Sequence, residues 1–349
     1  MILKQFNFFN YILSKKMICS KIIITSLMIV SIITILNSSN LFTDQIVYAQ
    51  TVIDTLNVRN YPTAIEFNPV NGEIYVVNRG NDSISIINTD DRTNIRHINN
   101  ISNNPFDLAL DTSLGHLYII NEDINPIIKV INVSNNTIID SKNIPNRPTD
   151  IIYDQNNRKI YFLTNETNGL IKVIDSDTRE IDDFVTILGK SQSLGFDSLN
   201  NNLYVLNMTS DSSNSTVTII NTPTKTIFDP IPIKVGSPTN FGFDSNHGHM
   251  YITSANRPEA LHVIDTKTRT IIDTLNRTSG LDFPLGMDLD KLAGNMYIAN
   301  AGAHVFIIDT NDRSKYKNFL NHGEPIDIAF DTIHRHVYVV NKEYDQKLF

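Results

Sequence analysis

Apolar residues along this chain come in short runs rich in Ile, Val, Tyr and Phe, each closed by Asn, Asp, Gly or Pro. Such runs are strands separated by tight turns. Beyond the first fifty residues, none has the length and 3.6-residue period of a helix. The runs recur as a unit. A Tyr flanked by apolar residues and closed by Asn marks each copy: IYVVN (Tyr75), LYIIN (Tyr118), IYFLTN (Tyr161), LYVLN (Tyr204), MYITSAN (Tyr251), MYIAN (Tyr297) and VYVVN (Tyr338). The spacings are 43, 43, 43, 47, 46 and 41 residues.

Each Tyr follows a segment of fixed form, such as PFDLALD (105–111) or PIDIAFD (325–331). A third segment comes after it, such as IKVID (171–175), and then a fourth, such as TIIDTLN (270–276). Four strands in a repeat of about 40 residues are the arithmetic of a propeller blade. The pattern predicts an all-β, seven-bladed β-propeller of four-stranded antiparallel blades. The last copy shows its first two strands and little more. VIDTLN (52–57) nearly duplicates IIDTLN (271–276). An N-terminal strand completing the last blade is therefore expected, which would leave no open sheet edge.

The Tyr-Val-x-Asn signature (YVVN at 75–78 and 338–341, YIAN at 297–300), with Val-Ile-Asp-Thr at 263–266, resembles the YVTN-type β-propeller repeat. That family includes archaeal surface-layer and secreted bacterial propeller proteins. The resemblance covers about 52–349 and implies the fold, since the signature residues are structural. Ser191 replaces the leading Pro in the fourth copy, and the third and fifth copies stretch the motif.

The first 49 residues differ from the body. Residues 1–21 are basic, and 22–36 (IIITSLMIVSIITIL) are apolar and uncharged. Val47-Tyr48-Ala49 fits a small-x-Ala cleavage site. The apolar run is short for a membrane span, which needs roughly 20 residues. The expected domains are a signal peptide or N-terminal anchor at 1–49 and the propeller at 50–349. Membrane contact would come only through 22–36, if uncleaved. The body is expected to be extracytoplasmic, secreted or attached to the cell surface. Eight Asn-x-Ser/Thr sequons, Asn81 to Asn276, are compatible with that location.

Composition then narrows the function. The net charge is −8, and without the first 50 residues the balance is 25 cations against 36 acids. A net-acidic body does not suit nucleic acid, which calls for a basic face. The one cysteine, Cys19, lies in the leader, so disulfides, thiolate metal sites and haem attachment are not expected. There is no Trp, no Gly-x-Ser-x-Gly and no phosphate loop.

Candidate chemistry concentrates on the innermost strands. Ala109, Gly195, Gly242 and Ala329 share one crowded repeat position, where Glu66 and Asp288 stand out in other copies. A carboxylate there costs free energy unless paired or wet, and could face an axial channel. Asp107, Asp150 and Asp327, with Asn240, begin inner strands at the channel mouth and could gather cations. Turn capping is the alternative. His247-x-His249 and His334-x-His336 could each present two imidazoles. However, His116, His249 and His336 occupy one position in different blades and cannot meet, so no metal site is expected. No catalytic residues and no cofactor are assigned.

The expected function is a non-enzymatic binding or cell-surface scaffold module, a monomer meeting a protein or glycan at rim loops 208–215 and 253–260. The alternative is a propeller enzyme, lactonase- or lyase-like, with its site in the axial funnel.

Overall fold

The computed structural model describes residues 22–28, 49–166, 169–187, 189–208, 215–233, 237–255, 259–276, 279–320 and 323–342. Apart from a 3-10 turn at Arg79–Asn81, the assigned elements are β-strands. Among the described residues, no helix is long and apolar enough to cross a membrane. Residues 1–21 and 29–48 of the expected leader lie outside the described residues, as do 209–214 and 256–258 of the two rim loops.

Six consecutive stretches (62–98, 105–143, 148–187, 190–233, 238–276 and 284–320) each form their own antiparallel sheet. These are the blades of a β-propeller, called first to sixth below. In the fourth, Thr226–Ile227 and Ile231–Ile233 both pair with Ser215–Asn221. Pro230 and Pro232 interrupt this outer strand, where a missing N–H is tolerated.

The seven-bladed expectation is corrected to six blades made by the repeats. The seventh copy supplies only Glu324–Asp331 and His336–Lys342. They join a composite sheet in the order Ala49–Thr55, Ile22–Met28, His336–Lys342, Glu324–Asp331. The N-terminal strand was expected to complete that copy beside its own third strand. Instead Ile22–Met28, from the expected leader, lies between it and His336–Lys342. The apolar, β-branched run that reads as a leader is also a good strand former. Residues 343–349, where the copy's third strand was expected, lie outside the described residues.

The duplicated hexapeptides have matching exposure. Val52, Ile53 and Leu56 are 38%, 36% and 6% exposed, against 36%, 42% and 7% for Ile271, Ile272 and Leu275. Ile271, Ile272 and Leu275 lie on the outer strand Thr270–Asn276 of the fifth blade, so 52–57 occupies the same kind of place.

The signature residues hold blades and loops. All seven motif Tyr rings are buried. Tyr204 meets Phe241 of the next blade at 6.2 Å between centroids, and Tyr297 stacks on Phe330 at 5.9 Å. The motif Asn ties loops down: Asn121 Nδ2 donates to the Asn103 carbonyl and its Oδ1 accepts the Ile127 amide. The Asp ending each first strand caps the following turn. Asp154 Oδ1 accepts the Asn156 and Asn157 amides at 2.9 and 3.0 Å, and Asp111, Asp197, Asp290 and Asp331 repeat this pattern.

Candidate functional site

Side chains on a strand alternate between faces, so the third and fifth residues of each inner strand share one face. That face meets the next blade and the axial channel. At the fifth position, a Cβ on Gly195 would lie 2.7 Å from Phe241 of the fifth blade, and one on Gly242 would collide with Met287 of the sixth. At these two seams a small residue is required for lack of room, whereas Glu66, Ile152 and Asp288 hold the same position elsewhere.

At the third position, acids reach across the seams. Asp150 Oδ1 accepts its own Ile151 amide at 2.8 Å, and Oδ2 accepts Leu194 of the fourth blade at 2.6 Å. Asp327 does likewise with Ile328 at 2.9 Å and Ile65 of the first blade at 3.0 Å. Asp288, at the fifth position, takes Leu289 and Phe330, both at 2.7 Å. The Asn240 side-chain oxygen accepts the Phe241 amide of its own strand, at 2.7 Å, and among the described residues no amide from the next blade.

Two cavities follow the channel. One of about 660 Å³ is lined in part by Asp107, Asp150, Asn240 and Asp327. The other, of about 500 Å³, is lined in part by Glu66, Asp107, Asp288 and Asp327. Asp107 and Asp327 line both, so the two cavities adjoin and all six residues singled out from sequence lie along them.

These half-buried carboxyls bind protons more tightly than carboxylates in water. Desolvation, then the charges of Asp288 and Asp327, push Glu66 up to about 8. Desolvation lifts Asp327 to about 7 and Asp288 to about 6, against the pull of their amide partners. Asp107 and Asp150 hydrogen-bond to each other. Desolvation and the Asp150 charge hold Asp107 well above the carboxylate range. Asp150 is raised too, by desolvation, although the Asp107 hydrogen bond and the Leu194 amide oppose it. No hydrogen bond from a described residue reaches the Glu66 carboxyl.

Sequence reasoning missed Gly286, where a Cβ would run into Asp327, and Ser193, which lines the larger cavity with Asp150 and helps to stabilise its charged form. Gly286 carried a signal: it stands where four other copies have Asp or Asn. Also missed was the lip, where Glu122 pairs with Arg79 at 2.6 Å and with Arg147. The oxygen-rich passage suits a hard cation such as Ca2+, which takes six to eight oxygens.

The two His-x-His pairs lie elsewhere, at first-to-second-strand turns. His247 Nδ1 is 2.6 Å from Asp244 Oδ2, and His334 Nδ1 is 2.8 Å from Asp331 Oδ2.

No known protein family matches the chain, and no curated protein is similar to it in sequence. Its fold is common, with 1702 similar solved chains, so likeness selects no activity by itself. One is a hydrazine synthase structure from Kuenenia stuttgartiensis, 14% identical, covering 82% of this chain and 94% of that one, with a TM-score of 0.70. At that identity the likeness establishes a shared propeller fold.

Proposed function

We propose that the protein is an extracytoplasmic, non-enzymatic binding or surface-scaffold propeller of the YVTN type, whose axial passage takes a small hard cation. The supporting observation is that five carboxyls, Glu66, Asp107, Asp150, Asp288 and Asp327, from five different inner strands line two adjoining cavities. No three of them meet the spacing of direct ligands, so the cation would keep part of its water shell. Mutual repulsion and burial raise their proton affinity, and a divalent cation would relieve both. A rigid ring with variable rim loops suits capture of a protein or glycan.

Calorimetric titration with Ca2+ at pH 8 tests the passage. Saturable binding is expected, weakened in Glu66→Gln and Asp288→Asn and accompanied by a higher Tm. Absence of saturable binding would overturn the cation reading. N-terminal sequencing of the exported protein tests location, with Gln50 expected as first residue if the leader is cleaved.

The enzymatic reading draws on Glu66 near 8 and Asp327 near 7, where a carboxyl can exchange protons at neutral pH. Turnover of a lactone probe that is lost in Glu66→Gln would favour it.

A further inference from the structure

At the turn joining the first two strands of the fifth blade, one ligand atom from each of Asp244, His247 and His249 lies within 4.8 Å of the other two. Asp244 is buried, and its Oδ2 contacts His247 Nδ1. The two rings stack at 5.7 Å with 16° between planes. His249 Nδ1 is buried with no hydrogen-bond partner. We propose that these three side chains bind a divalent transition ion of the zinc, cobalt or nickel class.

The donor set suits such an ion: imidazole nitrogens with one carboxylate, leaving a position for water. Metal–ligand bonds near 2 Å require ligand atoms roughly 3.3 Å apart in a tetrahedron. His247 lies on an exposed turn and can close that gap. Arg313, a neighbouring cation, is held by Asp273 at 2.8 Å.

The other blades show that the fold itself does not need this arrangement. Where the fifth blade has His247, the third and fourth have Asn157 and Asn200, whose amides donate to Asp154 and Asp197 at 2.9 and 2.7 Å. Where it has His249, the fourth and sixth have Asn202 and Asn295. The second blade has the same orphaned nitrogen on His116 but Leu114 in place of the second imidazole. The composite sheet has His334 and His336, but His334 spends both ring nitrogens, on Asp331 and on Asp90 at 2.9 Å. Only the fifth-blade cluster, among the described residues, meets the three-ligand spacing.

Cobalt titration of the full chain, followed by visible absorption and reversed by zinc, tests the site. One ion per chain is expected, with ligand-field bands. His247→Asn and His249→Asn should abolish them. Both place an Asn that sister blades already accommodate, so the Tm of the metal-free variants should match the parent. His334→Asn and Glu66→Gln should leave the bands intact, the latter separating this site from the channel. Bands that persist in both fifth-blade variants, or the absence of saturable cobalt binding, would overturn the proposal.

Discussion

Asp327 accepts the amide of Ile65 at 3.0 Å, joining residues 262 apart in sequence across the seam where the composite sheet meets the first blade. The same carboxyl accepts its own strand's Ile328 amide. Asp327→Ala would leave two backbone donors without their acceptor, at about 1–3 kcal/mol. Asn240→Ala removes an acceptor serving one amide within its own strand and should cost less. Chemical denaturation at pH 5 isolates this difference, because Asp327, near 7, is then protonated and its removal relieves no charge repulsion. Equal losses would mean the cross-seam bond contributes nothing.

Stability should fall as pH rises from about 4 to about 8. Glu66, Asp327 and Asp288 hold protons in the folded state up to about 8, 7 and 6, whereas an unfolded carboxyl releases its proton near 4. Below the unfolded value both states are protonated and nothing is lost. Between the two values unfolding releases protons, so rising pH favours the unfolded chain. The denaturation midpoint should therefore fall steadily across this window. Glu66→Gln should flatten the upper end of the profile, and Asp288→Asn the middle. A profile flat from pH 5 to 8.5 would contradict the clustering of these groups.

The sequence made the strands, the propeller and the channel-facing acids legible, because each rests on a residue type repeated in place. Asp154 and its counterparts recur since every hairpin needs a cap, and Gly195 and Gly242 recur since every inner strand is crowded. The seam bonds could not be read, because whether Asp150 reaches Leu194 depends on the stagger between blades. The place of Ile22–Met28 was hidden because a leader and a β-strand can share one composition. Asp244 ends an inner strand like Asp154 and Asp197, so its repeat position alone does not show that it meets His247 and His249.

Two glycines separate steric from conformational cost. Gly195→Ala would put a methyl 2.7 Å from Phe241 and should cost about 1–3 kcal/mol by overpacking. Gly248 has no neighbour nearer than Thr266 Oγ1 at 3.5 Å, but its φ is +67°. Gly248→Ala should cost about 1–2 kcal/mol from left-handed backbone strain alone. In a double-mutant cycle with Phe241→Ala, which removes the ring and its Cγ, the first cost should shrink and the second should not, since only the first is a contact between the mutated pair. Denaturation midpoints of the double variants decide it.

Leu56 anchors the N-terminal strand segment to the ring. It is buried in a cluster with Ile65, Phe67 and Ile74 of the first blade and with Tyr338 and Val340 of the composite sheet. Its neighbours Val52 and Ile53 are exposed at the outer edge. Leu56→Ala should therefore lower stability by about 2–5 kcal/mol, the cost of emptying a packed apolar site. Ile53→Ala should cost less than about 1 kcal/mol, as exposed substitutions do. If instead the two variants unfold at the same denaturant concentration, the segment contributes no apolar contact to closure, and the match between 52–57 and 271–276 is one of sequence without shared packing.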